Sequence, residues 1–222
     1  MNKYELISKI ERIAPLESQE SWDCSGWIVD CDNPQVNKVM LALTVTEEVV
    51  DYAKNKGCDL IISHHPLFFV PMAFKDINIY ASHTPMDKTT NGTTETLISA
   101  IGFDKFRVEN DFVRIVDTNI TVDELRTKLL KISPNLRMIN NKHVTQIKSI
   151  GFCAGSGSEF ISSTNTDAFV TGDLKYHTAV EADKVVFDIG HFESEIISIR
   201  RLKEIADLGE KGVIANEESP FN

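Results

Sequence analysis

The sequence predicts an α/β protein whose mainly parallel sheets are flanked by helices. Short apolar runs at 38–43 and 60–63 enclose an amphipathic helical stretch at 46–56. A strand, a helix and a second strand in this order form the unit from which parallel sheets are built. The same alternation returns further along the chain, so we expect more than one such unit.

Each predicted element rests on a local pattern. Leu6, Ile7 and Ile10 recur at helical spacing and predict a helix at 3–13 that ends before Pro15. Thr46 precedes two glutamates, a pattern that favours a capped helix start with acids at the positive end of its dipole. The other predicted helices are 93–100, 121–131, 174–182 and 193–208, and the other predicted strands are 77–81, 136–139, 147–152, 168–170 and 185–189.

Length and composition are those of an ordinary globular protein. The chain has 222 residues, of which 42% are hydrophobic and 25% charged, enough for one large domain or two closely associated lobes. Asp104–Asn110 is the predicted boundary. We therefore expect a single unit 1–222 made of two lobes, 1–103 plus 190–222 and 104–189.

Charge and cysteine content restrict the partners and the compartment. A net charge of −10 argues against extended nucleic-acid binding, although a bound metal would still allow a nucleotide substrate. The N-terminus lacks a signal peptide's apolar stretch and no run is long enough to cross a membrane, so no membrane association is expected. The four cysteines form no C-x-x-C pair, which favours reduced thiols and a cytoplasmic location.

Three segments rich in potential metal ligands each follow a predicted strand. They are His64-His65-Pro66, His83–Asp87 and Gly190–Glu195. Ligands of open α/β sheets bind beyond the carboxyl ends of the strands. We therefore expect these segments to converge on one crevice.

Taken separately, each of these motifs has an ordinary structural interpretation. Paired histidines on an extended chain point to opposite faces, but a turn at Pro66 would let His64 and His65 reach one cavity. His191 and Glu195 are four residues apart on one helix face, which suits either a metal ion or a surface pair. Asp87 would be a ligand, or would bond its own backbone in a turn.

Together the predicted ligands are His64, His65, Asp87, His191 and Glu195. Imidazoles and carboxylates suit zinc, iron, manganese, nickel or cobalt. We predict two divalent ions per subunit, with shared carboxylates and water completing their coordination.

Two further segments are predicted to line the site. Asp173 would cap the following helix or contact a ligand or substrate, and His177 would act as a general acid/base or bind substrate. His83 would orient Asp87 or donate to substrate. The loop containing Gly155 and Gly157 would either present N–H groups to an anionic substrate or form a tight turn, the interpretation favoured by the sequence.

The phenylalanines at 68, 69 and 74 are interpreted as core or subunit contacts rather than as a platform for stacking bases. No Ser-His-Asp arrangement, nucleophile elbow, kinase motif set or H-E-x-x-H helix is present.

The same segments resemble, in the same order, the NGG-interacting-factor-three-like family, whose bacterial members are often named GTP cyclohydrolase I type 2 homologues. The similar stretches are Asp23–Trp27, Asp59–Leu67, His83–Asp87, Cys153–Gly157, Thr171–His177, Gly190–Glu195 and Ser219–Phe221. The family usually has Asn where Cys24 stands, Leu where Trp27 stands and Asn-Leu where Pro85-Met86 stand. None of these departures removes a predicted ligand.

The resemblance implies a dinuclear metal centre in two intertwined α/β lobes and a toroidal homohexamer. It also implies the short form of the family, without the inserted middle domain. The family's ligands fall on the same five residues: His64, His65, Asp87, His191 and Glu195.

The leading hypothesis is a metal-dependent hydrolase of a nucleotide-like molecule, with GTP ring opening, suggested by the family alone, as the named reaction. Water activated by the metals would attack the base, and His177 or His83 would carry the proton. The alternatives are a non-enzymatic metal-binding or regulatory hexameric scaffold and a dinuclear-metal phosphoesterase.

Overall fold

The computed structural model describes residues 1–221, which divide into two compact units. Unit 1 comprises Met1–Thr90 and Ser198–Glu218, and unit 2 comprises Asn91–Ile197 and the tail from Ser219. Compared with the predicted lobes, 91–103 and 190–197 belong to unit 2. Leu97 and Ile98 explain the first difference, because they are buried in the same core cluster as Ile150 of that unit.

The secondary structure alternates between helices and strands. The helices are α1 (Lys3–Glu11), α2 (Glu47–Asn55), α3 (Thr84–Lys88), α4 (Thr93–Ile101), α5 (Val122–Leu129), α6 (Tyr176–Glu181), α7 (His191–Glu195) and α8 (Ser198–Ile205). The strands are β1 (Gly26–Val29), β2 (Val39–Ala42), β3 (Leu60–Ser63), β4 (Asn78–Ala81), β5 (Arg107–Val108), β6 (Arg114–Thr121), β7 (Arg137–Ile139), β8 (Gln146–Phe152), β9 (Ala168–Thr171), β10 (Val185–Asp188) and β11 (Gly212–Ile214).

Unit 1 is built on a five-stranded sheet in the order β1-β4-β3-β2-β11. All pairs are parallel except β1 with β4. Strands β2, β3 and β4 are buried throughout, as expected for a parallel sheet covered on both faces. The carboxyl ends of β3 and β4 therefore lie at one edge of the sheet.

Unit 2 contains a six-stranded mixed sheet in the order β5-β6-β8-β9-β10-β7. Strands β8, β9 and β10 are parallel, whereas β5, β6 and β7 extend the sheet in antiparallel fashion. The prediction of mainly parallel sheets thus holds for the centre of each sheet. Antiparallel pairing occurs at one border of the unit 1 sheet and at both borders of the unit 2 sheet. The α/β class with helix-flanked sheets is confirmed.

Local contacts define the ends of several helices, and the cap predicted at Thr46 is confirmed. The Thr46 hydroxyl accepts a hydrogen bond from the Val49 N–H at 3.3 Å and caps α2. Gly102 ends α4 with a φ of +90°, a conformation that glycine adopts without steric cost. Thr121 and Glu124 form a reciprocal capping box at the start of α5.

The prediction of one continuous helix at 193–208 is wrong. Two separate helices, α7 and α8, lie in this part of the chain. Unit 2 ends at Ile197 and unit 1 resumes at Ser198, where the chain changes units. Ile197 packs against the core of unit 2, whereas Ile199 and Leu202 are buried in α8. Apolar spacing alone conceals this break.

Two further expectations from the sequence concern the cysteines and membrane-spanning helices. All four cysteines are free thiols. Among residues 1–221, no helix combines the length and apolar character that a membrane crossing requires.

Candidate metal centre

Three histidine rings of unit 1 lie together beyond the ends of β3 and β4. We call His64, His65 and His83 the imidazole cluster. The ring centroid of His64 lies 5.1 Å from that of His65 and 5.1 Å from that of His83. One nitrogen from each ring lies within 4.8 Å of the other two, close enough to hold one ion.

The backbone carries the paired histidines directly out of the sheet. The His64 and His65 N–H groups donate to the carbonyls of Ala42 and Leu43 at 3.1 and 2.9 Å, which extends the parallel ladder with β2. Consecutive side chains of an extended strand diverge, yet these two rings are adjacent. The prediction that the His64 and His65 side chains, which precede Pro66, face the same space is confirmed.

Each ring of the imidazole cluster is held through its Nδ1 atom. His64 Nδ1 donates to the Ser82 carbonyl at 3.0 Å, and His65 Nδ1 lies 2.8 Å from the Thr44 hydroxyl. His83 Nδ1 lies 3.1 Å from Asp23 Oδ1. With Nδ1 used in this way, Nε2 is the nitrogen that would bind a metal, as in most histidine metal sites with an outer hydrogen-bond partner.

Asp87 adds a carboxylate to the same group. It lies on the short helix α3 rather than in a turn, and its Oδ1 is 3.5 Å from His64 Nε2. The carboxylate is therefore directed at an imidazole of the cluster and not only at its own backbone. Unit 1 by itself assembles imidazole and carboxylate donors.

Asp23, to which the sequence assigned no role, contacts the imidazole cluster through His83. Its side chain is fully buried and accepts from the Thr84 hydroxyl and Ser25 hydroxyl at 2.5 and 2.8 Å, besides His83. Burial raises the pKa of Asp23, but these hydrogen bonds outweigh burial and lower it below its ordinary value. The result is a buried anion that orients His83.

Unit 2 carries a second group, which we call the carboxylate cluster: His191, Glu195 and Asp173. His191 Nε2 lies 3.1 Å from Glu195 Oε2, the i, i+4 pair that the sequence predicted on one helix face. On the other side of the ring, Nδ1 lies 2.7 Å from Asp173 Oδ2. Asp173 does not cap α6, whose N-cap residue is Lys175, so the predicted cap role is wrong. Asp173 instead contacts His191, one of the predicted ligands.

The two carboxylates determine the charge of His191. Burial lowers its pKa, but hydrogen bonds and charge attraction from Glu195 and Asp173 outweigh burial and raise the pKa to about 9. The metal-free ring is thus held as a cation between two acids. A divalent cation would bind to these same groups in place of the proton.

Glycines allow the loop at 151–157 to approach α7 closely. A Cβ at Gly155 would stand 2.2 Å from Glu195 Oε1. The N–H of Gly155 donates to Ser194 Oγ at 2.9 Å, and that of Gly157 donates to Thr171 Oγ1 at 2.8 Å. Because both N–H groups are used within the protein, the structure supports the tight-turn interpretation and not anion binding by these two amides.

His177 belongs to neither cluster. It is exposed on α6, and its ring lies against that of Tyr176. Among residues 1–221 it joins none of the groups of acids, histidines and cysteines that could hold an ion. Its predicted catalytic role stays a prediction.

The donor chemistry fits divalent transition metals. Unit 1 provides three imidazoles and Asp87, and unit 2 provides one imidazole and two carboxylates. Nitrogen and oxygen donors of this kind suit zinc, iron, manganese, nickel and cobalt. The assignment of His64, His65, Asp87, His191 and Glu195 as the metal ligands stays a prediction.

Comparison with known proteins shows the family to which the chain belongs. The family model described as Duf34/NIF3 (NGG1p interacting factor 3) matches residues 1–216. The chain belongs to this family. A Clostridium perfringens relative named GTP cyclohydrolase 1 type 2 homolog is 31% identical over all of this chain and 99% of its own. A Helicobacter pylori relative named GTP cyclohydrolase 1 type 2 is 29% identical over 86% of each chain.

Solved structures of other proteins share the fold. A Bacillus cereus protein related to NIF3 superposes with a TM-score of 0.84 at 19% identity, over 100% of this chain and 99% of that one. A Staphylococcus aureus protein gives a TM-score of 0.85 at 23% identity with the same coverage. The family membership and the short α/β form predicted from the sequence are confirmed.

Proposed function

We propose that this chain is a metal-dependent hydrolase acting on a nucleotide-like substrate, with two divalent ions held by His64, His65, Asp87, His191 and Glu195. The observation that carries the proposal is the anchoring of every candidate imidazole: each has its Nδ1 atom fixed by a second group. Divalent ions supply Lewis acidity, which activates water for hydrolysis. That the five ligands form one dinuclear centre is part of the proposal.

GTP is the proposed substrate because relatives covering most of the chain carry GTP cyclohydrolase 1 type 2 in their names. Two hydrolytic steps at the imidazole-ring carbon of guanine would release that carbon as formate. His83 is the proton carrier that the geometry supports best, since Asp23 fixes its Nδ1 and leaves proton exchange to Nε2. Asp23 keeps the ring in that orientation.

The test supplies metal-loaded protein with GTP, with nucleoside monophosphates and with a generic phosphodiester. Formate release from GTP supports the proposal, and phosphate release supports a phosphoesterase using the same ligands. A His83→Gln variant should lose most of the formate release while retaining bound metal. A full metal load with neither product contradicts both enzymatic proposals.

One observation favours the alternative, a non-enzymatic metal-binding scaffold. His177, a predicted general acid/base, is exposed and joins neither cluster, so proton transfer depends on His83 alone. A scaffold needs the metal ligands but no proton carrier. Under this alternative, neither the parent nor His83→Gln would release formate from GTP, and both would retain bound metal.

We also propose that the chain assembles as a homohexamer and is cytoplasmic. Phe68 and Phe69 support assembly, because they are 73% and 81% exposed on unit 1, whereas Phe74 is buried in its core. Large exposed aromatic side chains are typical of protein interfaces. A native mass of six chains, which falls when Phe68 and Phe69 are both changed to serine, is the expected result.

A further inference from the structure

A cavity of about 350 Å³ within unit 2 borders the carboxylate cluster and has no role in the function proposed so far. His191 and Asp173 form one wall of it. Its volume lies in the range of small-ligand sites, about 300–1,000 Å³. Arg137, Asp188, Gly190, Glu193 and Phe221 also line it.

Arg137 presents an oriented donor to this cavity. It lies opposite Asp188 in the antiparallel pair of β7 with β10, and its Nε and Nη2 atoms both donate to Asp188 Oδ2. Asp188 is buried and also accepts the Leu174 and Gly190 N–H groups, so it holds the guanidinium firmly. Nη1 makes no hydrogen bond to residues 1–221, and the Arg137 side chain is 68% exposed.

Glu193 presents the complementary acceptor. Its carboxylate makes no hydrogen bond or ion pair within the described part of the chain. A Cβ at Gly190 would stand 2.1 Å from Glu193 Oε2, so the glycine lets the carboxylate fold over the backbone at the cavity wall. The neighbouring charges are already compensated, because Asp188 pairs with Arg137 and Asp173 with His191.

The cavity thus offers one donor and one acceptor, and an aromatic ring stands beside them. Phe221 lines the cavity with its ring 76% exposed, as a surface on which a planar ring can stack. A ligand that satisfies all three needs a carbonyl next to N–H donors on a flat ring. The guanine base has this edge: an oxygen at position 6, an N–H at position 1 and an amino group at position 2.

We infer that this cavity is a recognition site for a guanine-type base, which rests on the proposed function for its link to catalysis. Glu193 accepts from the N1–H and the 2-amino group, Arg137 Nη1 donates to O6, and Phe221 stacks on the ring. The imidazole part of the base, opposite the recognised edge, is then left to face His191. Adenine is disfavoured because it places an amino group where Arg137 donates.

The test measures binding of GMP, IMP and AMP to the metal-free full-length chain by calorimetry. The three share ribose and phosphate, and IMP differs from GMP only by lacking the 2-amino group. We expect GMP to bind about 10-fold tighter than IMP, since a hydrogen bond to a charged group is at stake, and AMP to bind more weakly still. Equal affinity for GMP and IMP would overturn the inference.

Two variants and a control sharpen the result. Glu193→Gln should reduce GMP affinity to that of IMP, and Arg137→Lys, which keeps a cation beside Asp188 but loses the planar fork, should weaken both. Glu181→Gln makes the same chemical change on exposed α6 and should leave binding unchanged. A Glu193→Gln protein that retains the full GMP preference contradicts the assignment.

The experiments distinguish failure of the base-recognition site from failure of the proposed hydrolase activity. GMP preference that depends on Glu193, without formate release from GTP by the metal-loaded chain, supports the base site and refutes the reaction. Formate release with a KM for GTP that is unchanged in both variants refutes the base site and leaves the reaction intact.

Discussion

The imidazole cluster of unit 1 and the carboxylate cluster of unit 2 prepare histidines for metal in opposite ways. In unit 1, three rings are anchored by three different groups: a carbonyl, a hydroxyl and a buried carboxylate. In unit 2, one ring lies between two carboxylates, which raise its pKa to about 9. The first cluster fixes ring orientation, whereas the second fixes charge.

The two clusters depend on different parts of the fold. The imidazole cluster follows from two buried parallel strands that end side by side, with the rings leaving the ladder directly. The carboxylate cluster needs loops that come close to a five-residue helix, and Gly155 makes that approach possible. One cluster is supported by the sheet and the other by loops.

The largest expected effect is on bound metal when a ligand is removed. Asp87→Ala and Glu195→Ala should each lower the metal per chain by at least half in elemental analysis, since each removes an anionic donor. Circular dichroism should stay near that of the parent. Asp51→Ala, an exposed change on α2, is the control.

The same measurement tests whether the clusters act together. If they form one dinuclear centre, a His191→Ala/Glu195→Ala protein loses both ions, although the imidazole cluster is intact. If they are independent, it keeps the metal of unit 1. Parent levels of metal in both single variants would refute the ligand assignment altogether.

Gly155→Ala should destabilise the fold near the carboxylate cluster. Its φ is +66°, and the new Cβ would stand 2.2 Å from Glu195 Oε1. A left-handed conformation and local overpacking together cost about 2–4 kcal/mol in the free energy of unfolding. Urea unfolding of the metal-free protein measures it.

Gly57→Ala is the matched control, because its φ is +68° and nothing lies within 4 Å of the added Cβ. It should show only the backbone contribution, about 1–2 kcal/mol. Equal losses in the two variants would mean that Glu195 moves aside freely.

The supporting acids of the two clusters should differ in importance. Asp173→Asn should weaken metal binding by about 10–100-fold, the usual effect of losing a partner of a ligand residue. Asp23→Asn should leave bound metal near the parent level, because Asp23 holds His83, which is not one of the five proposed ligands. Competition with a chelating dye measures both, and an equal loss in the two variants contradicts the contrast.

The smallest effect concerns pH and metal-free stability. The folded pKa of His191 is about 9 against an ordinary value of 6.5, so its ion pairs stabilise the fold fully below about pH 6.5. That contribution, about 1–2 kcal/mol after allowance for partial exposure, disappears as the pH rises through 9.

Urea unfolding at several pH values checks this by comparing the parent with His191→Ala. The difference in unfolding free energy should shrink as the pH rises through 9. His177→Ala, an exposed change, should show no such trend. A difference that stays constant with pH would remove the charge argument for the carboxylate cluster.

Some elements were beyond sequence reasoning for identifiable reasons. Strand β6 escaped prediction because its second half alternates exposed and half-buried residues with polar side chains, and backbone pairing with β8 holds it in the sheet. Thr44, by contrast, lies two residues after strand β2, and its hydroxyl contacts the His65 ring. The strand-end argument that selected His64 would have found it.

By itself, the sequence determined the strand–helix alternation, the cap at Thr46 and the histidines placed after β3 and β10. These depend on local spacing and hydrogen bonds between near neighbours. Only the tertiary structure decided that Asp23 holds His83, 60 residues away, and that Asp173 holds His191 instead of capping a helix. The physical reason is that periodicity reports which residues are buried, whereas pairing between buried polar groups depends on how distant loops close.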